Sequence, residues 1–414
     1  MDGCIDLNSS PMTDHTSSYR PVSGVLLSAA AAGIRYQGRD DLVLMALPAG
    51  ARCAAVFTRN AFCAAPVLVA KRHLAVVSPR YLLINSGNAN AGTGEQGVED
   101  AVASCAALAA LTGCRTEEVL PFSTGIIGEN LPVARLEAAL PTALERMRET
   151  AWSDAARAIM TTDTVPKLVT RRFNVAGRTA VVSGMAKGAG MIRPDMATLL
   201  AFLATDLAVD RALLQDCLRA VVEVSFNAIT IDGDTSTNDA CVLGAAGTLG
   251  NEPLDDPGSP DVAAFCTAVE AVCRELATAI VRDGEGATKL VKIRVEAARN
   301  LAEARRVADT VAHSPLVKTA LFASDLNWGR ILAAVGRAGM DRLDIEAVRI
   351  WLGDLCIVSR GGRDPDYTET AGRAIMKEEE IEIRVALGRG EVATEILTCD
   401  LSYDYVRINS EYRT

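Results

Sequence analysis

Six short segments rich in Gly, Thr, Ser, Asn and Asp are embedded in apolar sequence: NSGNANAGTG (85–94), STGIIG (123–128), TTDTVPK (161–167), GMAKGAGMIRPDMATLL (184–200), DGDTSTND (232–239) and DGEGATK (283–289). One such segment is a turn. Six of them constrain the fold, because loops of this kind converge where backbone N–H groups face an anion or a developing oxyanion. The chain must therefore bury apolar elements that carry these loops to a common place.

Those elements can be read from periodicity. Leu42 to Leu47, Ala54 to Thr58 and Tyr81 to Asn85 are short apolar runs bounded by Gly, Pro, Asn or Arg, as strands are. Gly97 to Leu111, Asp210 to Val224 and Asp261 to Val281 repeat apolar residues at three and four, as helices do. The last ends at Arg282, Asp283 and Gly284, a C-cap pattern. Pro141 is expected to split or kink a helix over Leu131 to Met147. Ile381, Ile383, Val385 and Leu387 alternate with polar residues, and Gly388-Arg389-Gly390 leads into Glu391 to Cys399, which reads as a hairpin with one solvated face. Asn251 to Pro260 reads as a surface loop and residues 1–20 as a loose, disordered tail. The mixture is α/β or α+β, and 414 residues suffice for two or three domains or one large two-part fold.

Composition excludes several function classes. Lys plus Arg number 42 against 52 Asp plus Glu, a net charge of −10 that argues against nucleic acid or an anionic membrane as the main partner. No stretch without a charged residue exceeds 14 residues, short of the roughly 20 that a membrane span needs. The acidic start lacks the apolar core of a signal peptide, so a cytoplasmic chain is expected. Eleven cysteines without a C-x-x-C pair favour reduced thiols over a disulfide framework or a zinc site. Neither a P-loop nor a dinucleotide fingerprint is present. Of three histidines, His15 lies in the tail, and His73 and His313 read as ordinary packing or surface residues. A Ser/His/Asp triad is thus poorly supplied, and acyl chemistry needs another base.

Ala197-Thr198 offers one. A Gly-rich turn and the pre-proline Arg193 lead to this pair, which precedes an apolar strand-like run. Attack of Thr198 Oγ on the Ala197 carbonyl, followed by hydrolysis, would free the Thr198 α-amine, whose pKa of about 8 suits a base at neutral pH. On spacing alone the same position reads rather as a half-buried β-branched strand residue.

TTDTVPK, MAKGAGMIRPDMATLLAF, DGDTSTND, SDLNWGRILAAVGRAG (324–339) and YVRINSEYRT (405–414) together resemble the ornithine acetyltransferase family, the bifunctional glutamate N-acetyltransferases/amino-acid acetyltransferases of arginine biosynthesis. The resemblance runs from about Val22 to Thr414. It implies self-cleavage between Ala197 and Thr198, with a tail (1–20), an α chain (21–197) and a β chain (198–414) that begins with the Thr198 nucleophile. It further implies a two-domain layered architecture and a heterotetramer of two α and two β chains. Thr124 and Gly125 would form the oxyanion hole. Substrate contacts would fall on Thr162, Lys187, Thr198, Glu285, Asn409 and Thr414, with Thr161 as the neighbouring register. No cofactor or metal is implied. Leu326 stands where the family usually has proline in D-P-N-W-G-R, which bears on loop rigidity rather than chemistry, and the adjoining Trp328 reads as a core residue beside a capped turn.

The implied reaction carries acetyl from N-acetylornithine to glutamate through acetyl-Thr198, with acetyl-CoA left open as a co-substrate. Its demands match the residues: Lys187 as a cation for the substrate carboxylate, and Glu285 for the ornithine side-chain ammonium. Water as acceptor would instead make a self-processing aminopeptidase or amidase. A chain that never cuts would be a non-catalytic binding protein.

Overall fold

The computed structural model describes residues 19–193 and 199–411. Strands buried on both faces dictate its centre. One sheet orders β1 (Leu26–Ala30), β2 (Leu42–Ala46), β4 (Tyr81–Asn88) and β5 (Val119–Ile126), the last two parallel. A second orders β3 (Arg52–Phe57), β9 (Ala240–Ala245), β8 (Leu200–Thr205), β7 (Arg178–Lys187) and β6 (Lys167–Val175), with β8 and β9 parallel. Every residue of β8, LAFLAT, is buried. Its alternation explains why: Leu200, Phe202 and Ala204 enter the core between the sheets, whereas Ala201 and Leu203 face a second core.

Four layers follow. Leu27, Met45, Ile84 and Phe122 of the first sheet meet Met185, Phe202 and Val242 of the second. Phe122 and Phe202 touch edge to face across the seam, with centroids 5.1 Å apart. The helices Arg211–Glu223 and Pro260–Arg282 cover the outer face of the second sheet, burying Leu214, Leu218, Phe265, Val269 and Leu276. Both begin where their sequences say they should: Asp210 accepts from the Ala212 and Leu213 N–H groups, and Ser259 from that of Asp261, ahead of Pro260 at the first turn. The helices Gly94–Thr112 and Val133–Glu145 cover the first sheet through Cys105, Leu108, Leu136 and Leu140. Of the two outcomes expected at Pro141, the split does not occur: Val133–Glu145 is one helix with the proline inside it. Proline removes a single rung, and the buried Leu136, Ala139, Leu140 and Ala143 hold both sides of it against the sheet.

A third sheet, in the order β13 (Gly362–Arg363), β12 (Leu355–Ser359), β11 (Arg349–Leu352), β14 (Glu380–Ala386), β10 (Leu290–Ala298) and β15 (Val392–Cys399), packs with the helices Leu301–Ala312, Pro315–Phe322 and Trp328–Gly336. Here the sequence reading needs correction. The alternation of Ile381, Ile383 and Val385 is as expected, but β14 and β15 are not a hairpin: β10 lies between them, parallel to β14 and antiparallel to β15. The connecting turn steps over a strand, a distance of about 10 Å, and is held by N–H bonds from Leu387 to Glu296 O and from Arg389 to Ala297 O. Leu326 is buried in this core against Gly372, so its side chain fills space that a proline ring would leave. Trp328 packs only partly buried against the same core, and Asn327 makes no side-chain cap.

The tail reading also shortens. Residues 1–18 lie outside the described residues, but Tyr19 donates to Thr150 O at 2.6 Å, and Arg20 is tied through its N–H to Thr170 Oγ1 and through its carbonyl to Ser183 Oγ.

Because Phe202 is central to the inter-sheet seam, Phe202→Ala should cost about 3–5 kcal/mol, read as a lowered urea midpoint. A change below 1 kcal/mol would mean that the two sheets do not depend on this contact.

Candidate active site

At one end of the sandwich the termini of β5, β7, β8 and β9 leave a cleft of about 230 Å³. The polar segments singled out by sequence line it or brace it. Thr124 and Gly125 come from the end of β5, Thr161 and Thr162 from a loop, Lys187 from the end of β7, Asn238 and Asp239 from the start of β9, and Glu285 from just past the helix Pro260–Arg282. Tyr405 and Asn409 of the C-terminal helix Tyr403–Glu411 close one side. Each sequence-designated residue that can be placed is therefore in one cleft: Thr124, Gly125, Thr162, Lys187, Glu285 and Asn409. Thr161 lines it too, so both registers of that threonine pair face the site. Ala197, Thr198 and Thr414 lie outside the described residues. Leu199, the first described residue after the 194–198 segment, and Ile192, just before Arg193 on the other side, are both wall residues.

Local sequence explains the rigidity of the walls. Gly125 adopts φ +136°, and a Cβ there would lie 2.2 Å from Gly87 C, so only glycine lets β4 and β5 approach at this turn. Asn85, Ser123 and Asn238 are buried, yet each is satisfied: Ser123 Oγ bonds Asn85 Oδ1 at 2.6 Å, and Asn238 Nδ2 donates to Ala89 O at 2.6 Å and Ser123 O at 2.9 Å. Asp232 accepts from the Met191 and Ile192 N–H groups at 2.6 and 2.9 Å, fixing the chain that leads toward residue 194.

Beneath the cleft lies a buried ion triad. Lys167 Nζ donates to Asp163 Oδ1 at 2.7 Å and to Asp283 Oδ2 at 2.6 Å, with all three side chains at most 3% exposed. Asp163 also accepts from Gly188 N at 2.6 Å and Thr161 N at 3.0 Å, and Asp283 accepts from Thr164. Burial alone would raise the pKa of Asp163; the Lys167 and Lys187 charges and the Gly188 N–H outweigh it and hold the carboxyl well below its usual range. Sequence reading missed this triad, although Asp163, Lys167 and Asp283 all stood inside segments it had marked.

The electrostatics of the surface above are asymmetric. Lys187 Nζ donates to Thr124 Oγ1 at 3.3 Å, and burial pushes its pKa below the ordinary lysine value. Glu285 is 9% exposed, receives Asn409 Nδ2 at 2.7 Å and packs on Gly190, where a Cβ would come within 2.5 Å of its carboxylate. An ammonium and a carboxylate thus flank one small cavity, the arrangement that receives a zwitterion. His73 and His313 bond Val119 O and Thr230 Oγ1 instead and line no part of it. Among the described residues, no group of three or more His, Cys, Asp or Glu side chains is arranged to hold a metal ion.

Fold and cleft together define a layered α/β protein with one polar, charge-lined cleft at the end of two stacked sheets. The model of the ArgJ family matches residues 26–414, and the chain belongs to that family. It is 60% identical over 394 residues to the arginine biosynthesis bifunctional protein ArgJ of Methylococcus capsulatus, covering 95% of this chain and 96% of that one. With the protein of the same name from Psychrobacter arcticus the identity is 52%, covering 95% and 97%. The crystal structure of Bacillus halodurans ArgJ aligns at 41% identity and a TM-score of 0.48, over 51% of this chain and 98% of that one. That of Mycobacterium tuberculosis ornithine acetyltransferase complexed with ornithine aligns at 36% and 0.36, over 43% and 94%. No helix among the described residues is long and apolar enough to cross a membrane.

Replacing Lys167 with Met tests the triad. Two buried carboxylates would face each other without a cation, at a cost of about 3–5 kcal/mol near pH 7 in urea unfolding. In the wild type, a depressed Asp163 pKa gives stability that is present above the unfolded value of about 3.9 and is lost only as pH falls through the folded one. In Lys167→Met the carboxyls instead favour protonation, so the deficit should shrink as pH is lowered from 7 to 5. A deficit that stays constant with pH would remove the charge argument.

Proposed function

We propose that this chain cuts itself between Ala197 and Thr198 and then moves acetyl from N-acetylornithine to glutamate through an acetyl-Thr198 intermediate, in arginine biosynthesis. The observation that carries the reading is one cleft holding Thr124, Gly125, Lys187 and Glu285. Thr124 and Gly125 serve as oxyanion donors, each worth on the order of 3 kcal/mol in such a role. Lys187 takes the α-carboxylate. Glu285, braced by Asn409, takes the side-chain ammonium of ornithine, and Thr162 and Thr414 complete the substrate contacts. The freed Thr198 amine acts as base where neither His73 nor His313 reaches the cleft.

The names of the relatives, bifunctional proteins of arginine biosynthesis, support acyl transfer rather than hydrolysis. We read the second activity as acetylation of glutamate by acetyl-CoA, and we assign no resident cofactor or metal. We assign the mature protein to a heterotetramer of two α chains (21–197) and two β chains (198–414). Ten described cysteines are free thiols, which suits a reducing, cytoplasmic compartment.

Purified wild type should give two masses, with Thr198 as a new N-terminus. Thr198→Ala should stay full length, and cleavage of that variant at the same bond would defeat the intramolecular mechanism. Donor alone should add one acetyl to the β chain and none to the α chain, and glutamate should remove it. Intersecting double-reciprocal plots without an acetylated β chain would mean direct transfer between two bound substrates.

Lys187→Ala and Glu285→Ala should mature, yet lose about 2–5 kcal/mol in kcat/KM as a substrate charge goes unanswered. Unchanged steady-state kinetics in both would remove them from the substrate site.

A further inference from the structure

Asp239 has no part in the mechanism above, although it lines the same cleft. Its side chain belongs to a residue only 2% exposed, and among the described residues Oδ2 has no hydrogen-bond partner. A buried carboxyl oxygen without a partner is costly unless something in the working site uses it. Position sharpens the point. The preceding residue, Asn238, clamps Ser123 O, next to the Thr124–Gly125 turn. The following residue, Ala240, donates its N–H to Leu199 O at 2.9 Å, and Leu199 is itself a wall residue. Asp239 is thereby fixed between the oxyanion turn of β5 and the start of β8. Its backbone is anchored from a third side by Thr58 N–H on its carbonyl at 2.9 Å.

The groups that bear on this carboxyl are few. Burial pushes its pKa well above the usual carboxylate value, and among the described residues the Ser236 hydroxyl and the Lys187 ammonium of β7 pull it back. Cys63 faces it from the segment before the helix Ala65–Val76, and Asp232, Asp234 and Glu285 stand elsewhere around the cleft. Burial without a partner on Oδ2 favours the protonated form of Asp239, which then has one O–H to give.

We infer that Asp239 is the general acid of the transfer reaction, supplying the proton that the departing amine requires. The inference rests on the acyl-transfer reading above. When the tetrahedral adduct collapses, the C–N bond breaks, its electron pair stays on nitrogen, and nitrogen takes the proton from Asp239. The amine leaves and Asp239 becomes a carboxylate. In the second half-reaction the attacking glutamate amine forms a new C–N bond and gives a proton to Asp239, which restores the acid, while the C–O bond to the enzyme breaks and Thr198 Oγ takes back its proton from the Thr198 ammonium.

An amine needs protonation to leave; p-nitrophenolate does not. The test compares β-chain acetylation by N-acetylornithine and by p-nitrophenyl acetate, followed by rapid-quench intact mass, in mature wild type and Asp239→Asn. The variant should lose about 100-fold or more with the amide donor and no more than a few-fold with the ester. Equal loss with both donors would make Asp239 a structural residue, and no loss with the amide would return the proton to the Thr198 amine; either overturns the inference. Absence of acetylation of wild type by both donors would instead overturn the acyl-transfer reading itself. Should the variant fail to mature, wild type alone decides: its amide-donor rate should fall as pH rises through the Asp239 pKa, while its ester rate should not. Parallel pH profiles for the two donors would overturn the proposal.

Discussion

The buried Asp163–Lys167–Asp283 triad is the interaction on which the site depends. One ammonium joins two carboxylates that come from separate places in the chain, at 2.7 and 2.6 Å. Through their remaining lone pairs those carboxylates hold the N–H groups of Thr161, Gly188 and Thr164. Three of the six polar segments are thereby fastened to one another below the cleft, and the threonines and Lys187 above inherit their positions. Buried charges of this kind contribute little net stability compared with apolar packing, but breaking one leaves the others stranded. What the triad supplies is a single arrangement of loops that would otherwise be free to move independently.

The site was more legible in the sequence than the fold around it. Segments such as NSGNANAGTG and DGDTSTND are locally self-describing: Asn and Ser side chains that bond backbone within a few residues, and glycines at positions where a Cβ would collide. Long-range partners leave no such mark. Nothing near Asp163 says that Asp283 is its neighbour, and nothing near Asn238 says that it bonds Ser123 O, more than a hundred residues away. Fully buried strands such as β8 and helices such as Pro260–Arg282 were readable because burial on both faces, or on one stripe, repeats within a single element.

The hairpin expected over residues 381–399 shows the limit in the other direction. Alternation correctly gave the buried face of β14, and the glycine pair correctly gave a turn. Neither carries information about whether a third strand occupies the space between. β10, about ninety residues earlier, takes that place and converts a local hairpin into a mixed parallel and antiparallel ladder. Pairing of this kind is set by which apolar faces can be buried together, a property of the whole sheet rather than of any window in it.

The order of the second sheet has a thermodynamic consequence for the proposed cut. β8 and β9, from the later part of the chain, lie between β7 and β3 from the earlier part, each outer neighbour contributing six paired residues. Scission between 197 and 198 removes one covalent link but no rung of these ladders. Before it, folding is unimolecular. Afterwards complete unfolding is also dissociation into two polypeptides, so the equilibrium constant acquires units of concentration and reassembly becomes second order. If the cut occurs, the precursor is the species in which the strands find their places, and a cleaved pair would persist at low concentration only as long as its two pieces separate slowly.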